Sequence, residues 1–282
     1  KLFNGINITL LILCALITVI PFIHVIASSF ASIESYNKST FMLIPTEFSL
    51  DAYEYIFRTD ALPKSMAVTI FITVVGTLVN LFFTALLAYS LSRKKVHFRR
   101  TIMFLIVFTI LFQGGLIPDY LVVKELGLLN SYWSLIIPRA IIPFYLIILI
   151  SFFRNLPDEL EESARLDGCG DIQMLFRIVI PLSLPALATL ALFYAVYHWN
   201  TYMHAIIFIS DTDKWPIQVL LRQIVLVSQA GFGESAAEGE QSIPPDTVRM
   251  AVIAVATLPI LIVYPFLQKY FTKGIMLGSI KG

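Results

Sequence analysis

The sequence predicts an all-α membrane protein with six transmembrane helices, and three observations carry that expectation. Of 282 residues, 57% are hydrophobic and only 14% charged, with a mean hydropathy of +0.80. A soluble domain carries roughly 25% charged residues, so water is not the main solvent of this surface. Six apolar runs approach or exceed the ~20 residues that a helix needs to cross a bilayer. None of them alternates with period 2, which argues against a β-barrel. The same composition excludes a disordered chain and a disulfide-stapled secreted module. The two cysteines, Cys14 and Cys169, cannot build a disulfide framework and are read as free.

The runs follow in order. From Leu2 to Ile33 there is no Asp, Glu, Lys or Arg, which predicts a first span near Ile6–Phe30 and is too long for a signal-peptide core. Ser65–Ser92 is the second span and Thr101–Pro118 the third. The fourth, Tyr132–Phe153, is interrupted only by Arg139; Ala186–Ser210 and Met250–Gln268 are the fifth and sixth. Pro21, Pro259 and Pro265 mark expected kinks, tolerable where neighbours satisfy the freed backbone. The expected organisation is residues 1–64 as the first transmembrane helix and its outer loop, then residues 65–282 as a five-helix core. That core carries a cytosolic loop at 154–185 and a C-terminal tail at 269–282.

Lys and Arg accumulate on the cytosolic side of membrane proteins. With the N-terminus inside, 12 of the 20 fall on the inner side, seven outside and Arg139 within a span. Thirteen of the 19 acidic residues fall outside. The basic run from Arg93 to Arg100 weighs most, being short and flanked by helices, and both termini are placed in the cytosol. The outer segment 211–248, with Gly231-Phe232-Gly233, Glu234, Glu238, Glu240 and Pro244-Pro245, reads either as a solvated connector or as a loop reaching an external partner.

The segment between the fourth and fifth spans is the most specific. Asn155-Leu156-Pro157-Asp158-Glu159 is a helix start, with Pro and carboxylates where the first turn favours them. Leu156, Leu160, Ser163 and Ala164 share one face, Glu161 and Arg165 pair i,i+4, and Gly168 ends the helix. A second short helix places Ile172, Leu175, Phe176 and Val179 on one face, and Pro181 and Pro185 are expected to terminate it and launch the fifth span. Such a pair serves either to anchor the loop on the membrane or to fill a groove on a soluble partner.

Glu162-Ser163-Ala164-Arg165-Leu166-Asp167-Gly168, nine further residues, then Ile178-Val179-Ile180-Pro181 resembles the EAA loop of binding-protein-dependent ABC importer permeases. The family pattern has Ala where Ser163 stands and Leu where Ile180 stands. The resemblance runs from about Ser65 to the C-terminus. It is closest to carbohydrate permeases of the maltose-type, smaller-subunit branch. Gln113-Gly114-Gly115-Leu116-Ile117-Pro118 and Leu126-Gly127-Leu128-Leu129-Asn130 are similar to its oligosaccharide group.

The resemblance implies a type I ABC importer permease fold in a bacterial cytoplasmic membrane. It also implies four kinds of partner: a second permease, two ATP-binding cassette subunits, an extracytoplasmic solute-binding protein, and an oligosaccharide as cargo. Glu162, Ala164 and Gly168 would then carry the contact with an ATPase, with Ser163, Ile178 and Pro181 completing the motif and Arg165 and Asp167 adding ion pairs. The tail, with Gly274, Gly278 and Lys281, would reach toward the ATPase interface; the plain alternative is a frayed end.

Arg139, flanked by Pro138 and Pro143, is an expensive charge at membrane depth. It serves either an anionic sugar group, such as an alginate or pectin fragment, or a companion permease. Tyr197, Asn200, Thr201 and His204 share one side of the fifth span and suit a sugar, apolar on its face and polar at its edge; interhelical packing competes with that reading. His198 and His204 have no Cys, Asp or Glu beside them for a metal. The chain has no phosphate-binding Gly-x-x-x-x-Gly-Lys-Ser/Thr, so it cannot hold ATP by a P-loop, and the resemblance implies that ATP and Mg belong to partner subunits; no catalytic constellation or nucleic-acid-binding patch stands out. A polytopic membrane enzyme acting on lipid or glycan is the alternative, and an ion-coupled carrier suffers from the lack of intramembrane carboxylates.

Overall fold

The computed structural model describes residues 2–39, 41–93, 96–230 and 246–279. The chain starts with α1 (Leu2–Ser29), α2 (Ile33–Lys38), α3 (Asp51–Arg58), α4 (Ala61–Ser92), α5 (Arg99–Leu111) and α6 (Leu116–Glu125). It continues with α7 (Trp133–Ile136), extended by a 3-10 turn to Arg139, then α8 (Pro143–Arg154) and α9 (Asp158–Leu166). Next come α10 (Asp171–Met174), a π turn (Leu175–Val179), α11 (Ile180–Leu182), α12 (Leu184–Trp199) and α13 (Met203–Phe208). The last helices are α14 (Ile217–Ala230) and α15 (Asp246–Ser279). Among the described residues the one β feature is an isolated antiparallel bridge between Ala31 and Phe48.

Three stretches, Phe3–Ser29, Ala61–Ser92 and Asp246–Val263, are long and apolar enough to cross a membrane as unbroken helices. The other three predicted spans are interrupted. The fourth bends by 51° between Trp133–Arg139 and Pro143–Arg154. The fifth unwinds at Asn200–Tyr202, between α12 and α13.

The third departs furthest from expectation. Its helix α5 has 13 residues, about 20 Å at 1.5 Å per residue, against a hydrocarbon core of about 30 Å. Phe112 turns extended and Gly115 adopts φ 87°, ψ 179°, a region that in practice only glycine occupies, before the chain restarts as α6. The Gly-Gly pair that fits the apolar composition of a span is what breaks it. The helices continue through Pro21, Pro259 and Pro265.

The second loop helix ends between the two prolines expected to terminate it, but it is not a regular α-helix up to that point. The helix passes into a π turn at Leu175–Val179 and ends at Leu182, after which α12 departs at 84°. The wider π turn lies just before Pro181, which has no N–H to give to a regular ladder.

The chain forms two compact units. The first is Lys1–Met66 with Pro216–Leu261. Its core joins Ala52 and Ile56 of α3, Leu62 at the start of α4, Ile217 of α14, and Val248 and Val252 of α15. Helix α1 points its apolar side chains outward, as a lipid-facing helix does: Leu10, Leu11 and Ile12 are each more than half exposed. The following segment is tied back, with Ser29 Oγ 2.7 Å from Tyr53 Oη and Phe30 stacked between Phe48 and Tyr53.

The second unit is Ala67–Trp215 with Ile262–Gly282. Leu91 of α4, Leu146, Leu149 and Phe153 of α8, and Leu190 and Tyr194 of α12 are buried together with Ala164, Met174, Leu175 and Val179 of the 154–185 loop. The loop thus enters the same core as the spans it connects.

Candidate functional site

Two places in the second unit gather the functional residues singled out in the sequence. The first is the 154–185 loop. Helix α9 ends in a Schellman arrangement: Gly168 N–H donates to Arg165 O at 3.1 Å and Cys169 N–H to Ala164 O at 2.9 Å, with Gly168 at φ 81°. Arg165 donates to Glu161 at 3.1 Å and to Asp171 at 3.0 Å, so one guanidinium fixes α9 against α10. The hydrogen bond to Glu161, then the charge of Asp171, raises the pKa of Arg165 above its already high value.

Arg93, at the end of α4, pairs with the other oxygen of Glu161 and lies over the Tyr89 ring at 4.5 Å. The terminal carbonyl of Leu91 accepts from Arg99 Nε at 2.8 Å and from Arg154 Nη2 at 3.5 Å. Cations at a helix C-terminus satisfy its orphan carbonyls, so the loop and α4 are joined by charge as well as by packing. Glu162, Ser163, Asp167, Gly168 and Pro181 are exposed, as are Leu166 and Ile172. Ala164 faces inward at 7% exposure and Ile178 is half-buried against the same core. The motif therefore has an outward face and an inward one.

The second place is the ring of broken helices. A cavity of about 650 Å³ is lined by Gln113, Asp119, Arg139, Tyr197, Thr201 and His204, among others. An adjoining cavity of about 720 Å³ shares Tyr197, Thr201 and His204 and adds Asn200 and Tyr145. All five residues expected along a sugar path thus line this pair of cavities. Arg139 Nη2 stands 3.8 Å from Asp119 Oδ2.

The break after Arg139 is held by its neighbours. Asn80 Nδ2 of α4 donates to Arg139 O, and the Ile142 N–H donates to Tyr194 Oη at 3.3 Å. The same hydroxyl is 2.7 Å from Thr84 Oγ1. Asn80 Oδ1 is 2.7 Å from His198 Nε2, a buried ring that Gly76 leaves room for. Unwound backbone in a span is tolerated where protein groups satisfy it or where it lines a cavity, and here it does both.

Three residues of this site escaped the sequence reading. Asp119 and Asn80 are not singled out there, and Gln113 is named only within the Gln113–Pro118 motif. The Gly-Gly pair inside a span was the available signal, because a forced break marks the wall of a cavity. Among the described residues no group of His, Cys, Asp and Glu could hold a metal ion.

Broken spans around an open, partly polar cavity, with a polar loop locked into the same core, fit a membrane transport component. Residues 98–277 match the family described as binding-protein-dependent transport system inner membrane component, and the chain belongs to it. It is a multi-pass inner-membrane permease subunit of an ABC importer, with ATP hydrolysis on separate subunits.

YtcP of Bacillus subtilis (strain 168), a polygalacturonan/rhamnogalacturonan transport system permease protein, is 58% identical across 100% of this chain and 99% of its own length. LplC of the same organism is 50% identical across 100% of this chain and 96% of its own. A solved chain from a bacterial ABC transporter involved in the import of the acidic polysaccharide alginate matches with a TM-score of 0.87 and 32% identity, covering 96% of each chain.

Proposed function

We propose that this permease forms, with a second permease, the translocation path for oligosaccharides of acidic sugars delivered by an extracytoplasmic binding protein. The observation that carries the substrate class is the guanidinium of Arg139 in a cavity shared with Tyr197, Thr201 and His204, with Asn200 in the adjoining one. The names of YtcP and of the alginate importer point to the same class of cargo. An aromatic and hydroxyl lining takes sugar faces and edges, and a guanidinium takes a carboxylate.

The loop 154–185 is the ATPase-coupling segment. Glu162, Ser163, Asp167 and Gly168 provide the outward contact and Arg165 holds its two helices together, while Ala164 and Ile178 seat it and Pro181 shapes its exit. Residues 1–64 work as an accessory span and outer loop, and residues 65–282 as the transporting core. The tail 269–282 reaches the ATPase pair. Gly274 and Gly278 lie on the end of α15; Lys281 and the acidic part of loop 211–248, including Glu234, Glu238 and Glu240, are outside the described residues.

The test is ATPase activity of the reconstituted four-subunit complex with its binding protein, across neutral and uronic-acid oligosaccharides of matched length. Stimulation by the uronic-acid series is expected; stimulation by neutral sugars alone refutes the substrate class.

A further inference from the structure

We infer that Asp119 and Arg139 form an exchangeable ion pair, in which Asp119 stands in for the carboxylate of a uronate residue and yields Arg139 to it during transport. This deepens the substrate class proposed above and rests on it.

The geometry is that of a pair held in reserve. The 3.8 Å between Arg139 Nη2 and Asp119 Oδ2 is within ion-pair range but beyond a hydrogen bond. Both side chains remain open to the cavity, at 40% and 42% exposure. A guanidinium has five N–H donors in a planar fork that fits a carboxylate with two parallel bonds, and Asp119 does not engage that fork. Arg139 is therefore attracted but not saturated.

The two backbones, by contrast, are fixed. Arg139 closes the 3-10 turn Ile137–Arg139 and its carbonyl accepts from Asn80. Asp119 lies in the first turn of α6, its N–H bonded to Gly115 O at 3.2 Å. Only the charged ends need to move. Thr201 and Tyr197 line the same cavity and can receive the ring of the sugar whose carboxylate arrives at Arg139.

Exchange suits transport better than capture does. A bare guanidinium at membrane depth is costly, and a conducting site must bind well enough to admit cargo yet weakly enough to release it. Replacing one carboxylate by another leaves Arg139 paired before, during and after passage, while the displaced Asp119, open to the cavity, keeps its charge in water and repels the cargo carboxylate toward release. A neutral sugar supplies no replacement, so the pair also discriminates. A purely structural latch between α6 and the Arg139 turn would gain nothing from open fork donors.

The experiment uses the full complex and its binding protein with two probes, a trigalacturonate and its fully methyl-esterified, uncharged form. Half-saturating concentration for uptake is measured for wild type, Arg139→Gln, Arg139→Lys and Asp119→Asn. Arg139→Gln is expected to lose about tenfold in preference for the acid over the ester, and Arg139→Lys to recover part of it. Asp119→Asn, which frees the guanidinium, is expected to move the other way and lower the half-saturating concentration for the acid. Equal losses on both probes in Arg139→Gln and Asp119→Asn identify a latch and overturn the exchange. An unchanged preference in all variants overturns it as well. A wild type that takes only the ester refutes the substrate class and the pair together, whereas a wild type that takes the acid with an unmoved variant preference refutes the pair alone.

Discussion

Gly76 and His198 meet where the polypeptide leaves no tolerance: a Cβ on Gly76 would lie 2.5 Å from His198 Nε2. That ring is fully buried and bonded to Asn80, whose amide in turn holds the Arg139 carbonyl. Gly76 and Asn80 of α4 and His198 of α12 thus fix the backbone of Arg139, and only one of the three carries a ring. Gly76→Ala is expected to destabilise the complex by about 1–3 kcal/mol, the usual cost of overpacking. The apparent Tm of the purified complex then falls, at about 2–4 °C per kcal/mol for a chain of this size class. In a His198→Ala background the ring is gone and the added methyl has room, so the second cost shrinks. A double-mutant cycle reads this coupling, and additive costs would show that the close approach is not what constrains position 76.

At the scale of elements, the loop helix α9 is where sequence and structure agree best, and the broken spans are where they part. The i,i+4 spacing of Glu161 and Arg165 becomes an ion pair, and Gly168 closes the helix in the left-handed region. Both follow from contacts within one or two turns, which a sequence displays directly. The break at Gly115 is local too, but apolar composition on either side hides it. The join between Arg93 and Glu161 spans 68 positions, and no local pattern reveals it; nor does any reveal that Asp119 faces Arg139. Gly168→Ala tests the element itself. A Cβ there meets no neighbour within 4 Å, so the cost comes from φ alone and is about 1 kcal/mol. If α9 transmits the ATPase stroke, the variant is expected to assemble yet show a reduced ratio of binding-protein-stimulated to basal ATP hydrolysis. An unchanged ratio would mean that the end of α9 does not need its present conformation to couple.

For the whole molecule, the question is which side of the membrane each end of the bundle faces, and charge and cysteine content together make it measurable. Twelve of 20 basic residues gather on the side assigned to the cytosol, and thirteen of 19 acidic residues on the other. This asymmetry orients a multi-pass chain because Lys and Arg resist translocation when close to a span. The two cysteines are free and differently placed. Cys14 lies mid-way along the lipid-facing α1, out of reach of a charged reagent. Cys169 follows Gly168 at the outward corner of the 154–185 loop, with its side chain partly exposed. A membrane-impermeant maleimide is therefore expected to label wild type in inverted vesicles and not in right-side-out ones. Cys169→Ser should abolish the signal and Cys14→Ser leave it intact. If the loop docks on the nucleotide-hydrolysing subunits as proposed, assembly with those subunits should shield Cys169 from the reagent. Labelling from the outer face would reverse the orientation, and with it the placement of the 154–185 loop, the basic run Arg93–Arg100 and both termini.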